Sequence, residues 1–148
     1  MRIGIDPDLI KSGAAVVVDG QLQELHALTF FELIQFIDKH REGTRFFLED
    51  VEHDKAVYIR PGTNRKQMLK IAQNVGSVKA IGRLLHGYLQ DSGADYVLVK
   101  PLQGYYKRAK KDADFFKKLT GWEGRTNEDK RDAALLALYG DTSKLRLG

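Results

Sequence analysis

The sequence predicts an α/β domain built on a mixed five-stranded sheet, three antiparallel strands and then parallel ones, with helices on both faces. Three observations carry this. Asp19-Gly20 sits between two strand-like runs, the signal of a two-residue hairpin. Beyond the hairpin, short apolar runs alternate with helical spacings. The longest such spacing puts apolar residues at 68, 71, 72, 75, 78, 81, 85 and 89, or about seven turns of helix over Asn64–Leu89.

Each element follows from its residues. Arg2–Asp6 (RIGID) is a short strand with Ile3 and Ile5 on one face. Ser12–Val18 (SGAAVVV) is β-branched toward its end. Gln21–Leu28 alternates, although Leu22, His26 and Leu28 fall out of step with Leu25. Thr29 reads as an N-cap, with Glu32 three residues on to complete a capping box. The helix it opens carries Leu33, Ile34, Phe36 and Ile37 and ends near Gly43. Arg45–Val51 (RFFLEDV) is a buried strand, and Glu52–Thr63, polar and containing Pro61-Gly62, is a loop. After the long helix, Ala94–Val99 is a strand. Ala109–Leu119 and Asn127–Tyr139 are helices joined by the glycine-rich TGWEGRT.

The chain has 148 residues, the size of one domain, and residues 1–148 are taken as such. It has no cysteine, which excludes disulfides, zinc ribbons and thiol catalysis and fits a reducing compartment. No apolar run has the length of a signal peptide or a membrane span, so a cytoplasmic protein is expected. The net charge of +4 hides a strong asymmetry. Residues 1–54 hold 5 Lys/Arg against 11 Asp/Glu, residues 55–118 hold 14 against 4, and the remainder balances at 5 against 5. A basic middle between acid-rich or neutral flanks suits a polyanion; its ordinary reading is a solvated helix face.

Four acids stand out. Asp6 ends an apolar strand, Glu49 sits inside FFLEDV, and Asp129 and Asp132 share a face at the start of the last helix. Singly, Asp6 reads as a turn residue, and Asp129 and Asp132 as acids favoured by the helix dipole. Glu49 has no such reading. Together they make a carboxylate cluster without His or Cys, and oxygen ligands alone favour Mg²⁺ or Mn²⁺ over zinc. Two such ions roughly 3.5–4 Å apart serve phosphodiester cleavage.

These residues resemble a known family. GIDPDLIKSGAAVV is similar to the first hairpin of the RNase H-like nucleases, in particular the RuvC-like Holliday-junction resolvases. FFLEDVEH resembles the strand on which that family presents a glutamate, especially in phage-type members. NEDKRDAALLALYG resembles their closing helix. The resemblance spans nearly the whole chain. It implies an RNase H-like fold, metal ligands at Asp6, Glu49, Asp129 and Asp132, and Mg²⁺ as cofactor with Mn²⁺ as substitute. It also implies a homodimer that cuts four-way DNA junctions or other branched DNA, in a bacterial cytoplasm and of phage or prophage origin. The sequence departs from the family where Asp8 replaces a glycine and Glu52 precedes His53; Glu128, one turn before Asp132, competes with Asp129 as ligand.

The resemblance places functional lysines among Lys107, Arg108, Lys110 and Lys111, with Lys107 and Lys111 the best matches and a solvated helix start as the plain reading. Tyr58, the only aromatic in the 52–63 loop, is a candidate to stack on an unpaired base, and His53 is the one histidine near the acids. Trp122 is expected to pack rather than stack. Gly76, Ala80, Arg83 and Gly87 share one face of the long helix, a face suited either to the sheet or to a symmetry mate. Three other readings compete. One is an RNase H-like nuclease of RNA–DNA hybrids or structured RNA. Another is an actin/sugar-kinase-type nucleotide binder, for which the chain is too short. The third is a non-catalytic DNA-binding module, which leaves the acids unexplained.

Overall fold

The computed structural model describes residues 1–51 and 65–147, with side chains for all of these except 65, 67–75 and 142–147. Among the described residues, five strands and five helices run in the order β1 (Arg2–Asp6), β2 (Ser12–Val18), β3 (Gln21–Leu28), α1 (Phe30–His40), β4 (Arg45–Glu49), α2 (Arg65–Asp91), β5 (Asp95–Val99), α3 (Tyr105–Lys111), α4 (Ala113–Thr120) and α5 (Glu128–Leu147). The sheet order is β3-β2-β1-β4-β5. β1, β2 and β3 pair antiparallel, and β4 and β5 add parallel to β1. This is the mixed sheet of an RNase H-like fold. No helix among the described residues is long and apolar enough to cross a membrane.

The β2–β3 turn has both central residues at positive φ, Asp19 at 52° and Gly20 at 76°. That geometry matches the twist of the flanking strands, which is why Asp-Gly occupies it. The register shifts between Val16 and Val17, leaving Gln23 without a partner. This bulge explains the out-of-step leucines: it lets Leu22 and Leu25, three apart, pack on the same face of the sheet, while Leu28 packs on the other.

The two faces have separate cores. Ile3, Ile5, Ala14, Val16, Phe46 and Leu48 meet Leu33 and Ile37 of α1 and Leu85 and Leu89 of α2. Ala15, Phe47 and Val99 meet α3, α4 and the Ala133–Leu136 run of α5. The capping box at α1 is present, with the Glu32 N–H donating to Thr29 Oγ1 at 3.3 Å and the Thr29 N–H to Glu32 Oε1 at 2.9 Å.

α5 lies directly on β1 and β2 because the strands offer almost no side chain there. A Cβ on Gly4 would overlap the Ala133 carbonyl oxygen and come 2.8 Å from Ala137 N. One on Gly13 would overlap the Asp129 carbonyl oxygen. Arg2 ties the far end, donating from Nε to the Ala137 carbonyl at 2.6 Å and pairing with Asp141 at 2.7 Å.

The boundaries differ from the sequence reading in three places: α5 continues past the expected end at Tyr139 to Leu147, and two others have local causes. β4 ends at Glu49, not Val51: Asp50 donates its N–H back to the Val99 carbonyl at 2.8 Å as pairing with β5 finishes. The Ala109–Leu119 helix is two helices, and the first begins earlier, at Tyr105. Asp112 (φ −115°, ψ 105°) leaves helical geometry, ends α3 and caps α4 by accepting from the Asp114 and Phe115 N–H groups.

Candidate metal centre

Three chain segments converge at the C-terminal end of β1. Along β1 the even positions face α5, so Asp6 points to the same side as Gly4. β4 runs parallel to β1, and the same alternation turns Phe47 and Glu49 to that side while Phe46 and Leu48 face α1 and α2. The Gly4 and Gly13 contacts press α5 against the sheet with its first turns over this edge, which delivers Asp132. Carboxylate oxygens of Asp6, Glu49 and Asp132 lie within 4.8 Å of one another. Asp6 and Asp132 are 6% and 5% exposed.

Three carboxylates this close, two buried and Glu49 partly so, cannot all ionise without compensation. Burial, then the charges of Asp132 and Glu49, raise Asp6 well above the ordinary carboxylate range. Burial, then the hydrogen bond to Glu49 and its charge, raise Asp132 likewise. Burial pushes Glu49 the same way, but hydrogen bonds received from Asp132 and Asp6, together with the Lys110 charge, outweigh it and hold Glu49 below its usual value. The shifts thus run in opposite directions across the triad, upward at Asp6 and Asp132 and downward at Glu49. Asp132 Oδ2 is buried and has no hydrogen-bond partner. An all-oxygen donor set with excess like charge, in which the buried Asp132 Oδ2 has only the Lys110 ammonium at 3.6 Å and no hydrogen bond, fits a hard divalent cation.

Asp129 stands beside this triad rather than within it. It is hydrogen-bonded to Asp8 and Asp6, and burial followed by the Asp8 interaction pushes it up to about 6. Glu128, its sequence rival, is exposed on the Lys110 side. Asp8, where glycine was expected, needs no positive φ. Its N–H donates to Ser12 Oγ at 3.0 Å, and its Oδ1 accepts the Leu9 N–H at 2.7 Å.

The cation facing the triad is Lys110, with Nζ 3.6 Å from Asp132 Oδ2. Burial works against its charge, but Asp132, Asp6, Glu49 and Glu128 more than compensate and raise its pKa. Helical geometry explains why Lys110 has this place. Tyr106, Ala109 and Lys110 share the face of α3 that packs on α5, whereas Lys107 and Lys111 are four apart on an exposed face. Arg108 lays its guanidinium over the Phe115 ring at 4.3 Å. Sequence reasoning missed Arg131. It is 7% exposed, and it donates from Nε to the Lys110 carbonyl at 2.7 Å and from Nη1 to Thr126 Oγ1 at 2.8 Å, so α5 grips the helix that carries Lys110. The signal for it was present: an arginine directly before Asp132, at the head of the apolar AALLALYG run. Trp122 packs against the α5-side core. Tyr58 and His53 lie outside the described residues.

On the α2 side of Glu49 a cavity of about 210 Å³ is lined by residues that include Asp50, Gly82, Arg83 and His86. The small-residue face of α2 does not pack on the sheet where it is described: Gly76 and Gly87 face open space, and Ala80 and Arg83 are exposed.

No protein-family model matches this sequence, and no curated protein does. Among solved structures, the chain is similar to T. thermophilus RuvC in complex with a Holliday junction substrate. The TM-score is 0.61 at 17% sequence identity, covering 99% of this chain and 95% of that one. The fold is therefore that of RuvC.

Proposed function

We propose that this chain is a divalent-metal-dependent endonuclease that cuts four-way junctions or other branched DNA. The observation that carries the reading is the convergence of Asp6, Glu49 and Asp132, with oxygens within 4.8 Å, under a lysine 3.6 Å from one of them. The fold shared with a resolvase bound to a Holliday junction supports the same reading. Asp6, Glu49 and Asp132 would hold Mg²⁺ or Mn²⁺, with Asp129 as an outer acid. When bound, such an ion lowers the pKa of water and polarises the scissile phosphate.

The chain's own residues do the rest. Lys110 offers a cation at the place where a phosphate oxygen must approach three carboxylates, and Arg131 keeps the Lys110 backbone in place. Lys107 and Lys111, exposed on the same helix, supply sequence-independent attraction for the DNA backbone. Junction resolution needs two cuts on opposed strands, and a two-fold dimer brings two centres to one junction. The open Gly76–Ala80–Gly87 face of α2 is our candidate interface. The test is a panel of labelled substrates with Mg²⁺: four-way junction, flap, RNA–DNA hybrid and linear duplex of the same sequence. Preferential cutting of the junction supports the reading, and preference for the hybrid replaces it with the ribonuclease alternative.

A further inference from the structure

Glu49 belongs to two sites. Its carboxylate meets Asp6 and Asp132, and the same residue lines the cavity of about 210 Å³ on the α2 side of β4. Asp50 and Val51 continue the wall beyond Glu49, Leu98 of β5 stands beside them, and Gly82, Arg83 and His86 of α2 close the other side. The cavity therefore adjoins the metal centre through a shared residue.

Its walls are fixed. A Cβ on Gly82 would overlap Val51 Cγ2, so the bare glycine lets Val51 rest directly against α2. His86 Nε2 and the Tyr96 hydroxyl of β5 are hydrogen-bonded at 2.9 Å with their rings edge-on at 5.4 Å, which ties α2 to β5. The Asp50 N–H is held by the Val99 carbonyl at 2.8 Å. The mouth is open: Arg83 is exposed, and Leu98 is 39% exposed although it is a large apolar side chain.

We propose that this cavity takes one unstacked nucleobase of the DNA substrate, next to the bond being cut, and that Asp50 and Arg83 read its edge. This rests on the nuclease reading above. Size favours a single ring system, because the cavity is smaller than the roughly 300–1,000 Å³ of sites for drug-sized ligands. Charge favours a neutral guest. With Glu49 committed to the metal centre, the Asp50 carboxylate and the Arg83 guanidinium balance, so a phosphate would gain no net attraction there. Lys79, one turn before Arg83, and Lys100, next to Val99, are not among the lining residues, and they suit the phosphates to either side of the base. A carboxylate accepts from a base N–H and a guanidinium donates to a base oxygen or ring nitrogen, while Val51 and Leu98 offer apolar contact to its faces. Bases at a branch point are the cheapest to unstack, because pairing and stacking are already interrupted there.

The test uses four-way junctions that differ only in the bases on either side of the cut, with Mg²⁺ for cutting. The wild type should cut beside one base about tenfold faster than beside the others, and an abasic residue at that position should slow cutting by a similar factor. Arg83→Gln removes the charged fork, and Leu98→Phe narrows the cavity. Both positions are exposed, so both variants should melt like the wild type. Each should cut the preferred and the abasic junctions at nearly equal rates. Cutting beside all four bases within about twofold by the wild type, or the wild-type preference kept by both variants, overturns the base site while leaving the nuclease reading intact. So does an Arg83→Gln protein whose only change is a smaller sedimentation coefficient, which would make the cavity mouth a copy-to-copy contact. A wild-type protein that cuts no junction overturns both.

Discussion

Lys110 Nζ lies 3.6 Å from Asp132 Oδ2, and the carbonyl of the same lysine accepts from Arg131, the neighbour of Asp132 on α5. One residue of α3 is therefore held at both ends by two adjacent residues of α5. Its charge points at the triad, and its backbone cannot drift from it.

Lys110→Met should lower the rate of junction cutting about tenfold or more, since a cation placed where charge develops acts mainly on the chemical step. Lys107→Met and Lys111→Met should instead weaken binding and reduce its salt dependence by about one charge each. Single-turnover rates and binding isotherms at several salt concentrations separate the two classes. A Lys107 variant that loses more rate than the Lys110 variant contradicts the assignment.

The raised aspartates predict how metal-free stability varies with pH. Folded Asp6 and Asp132 hold their protons to higher pH than the unfolded chain, where an aspartate titrates near the ordinary 3.8. Between that value and their raised ones the folded state binds more protons, so their effect is a loss of stability as pH rises. Glu49 has the opposite sign in a lower window: its contribution is complete above the ordinary 4.5 and disappears as pH falls through its depressed value. A divalent ion competes with protons on the raised aspartates, so the melting-temperature rise caused by Mg²⁺ or Ca²⁺ should grow as pH rises above the ordinary carboxylate range. A rise independent of pH, or none, counts against the triad as the ion site.

Gly13→Ala should cost about 1–3 kcal/mol in chemical denaturation and slow cutting as well, because the new methyl meets the Asp129 backbone. Gly4→Ala should be at least as damaging to stability. Gly76→Ala, in open space on α2, should be neutral or stabilise by about 0.5–1 kcal/mol. Equal effects at positions 13 and 76 would show that the α5 contact is not tight.

Ala80→Leu separates a packing role from an association role for the α2 face. Ala80 is exposed, so the fold should change by no more than about 0.5 kcal/mol. Sedimentation should shift toward monomer, and nicked junctions should accumulate because the two cuts become uncoupled. Unchanged sedimentation would place any dimer contact elsewhere.

Local chemistry made most of the fold legible. Asp19-Gly20, the Thr29–Glu32 box and the strand alternations have short-range causes; the β3 bulge left only a break in the alternation around Leu25, which does not by itself specify a bulge. The α3–α4 break was harder. Asp112 caps α4 from inside a run that reads as continuous helix, and only the packing of Tyr106 and Ala109 on α5 fixes the phase. That phase also decides which lysine faces the acids, and so similarity of position pointed to Lys107 and Lys111 while the geometry turns Lys110 inward. Glu49 stood out because an acid inside an apolar strand has no turn or cap reading, whereas Asp6 and Asp132, each readable alone as a turn or helix-start acid, drew attention only as a set. Their mutual distance was not, because it depends on how closely α5 settles on Gly4 and Gly13.

The most direct test of the account is Mg²⁺-dependent cutting of a synthetic four-way junction by the wild type and by Glu49→Gln, with a linear duplex as control. The account predicts rapid cutting of the junction, little of the duplex, and loss of cutting by Glu49→Gln with junction binding retained. Cutting by Glu49→Gln at near the wild-type rate, or full wild-type activity in EDTA, would contradict it.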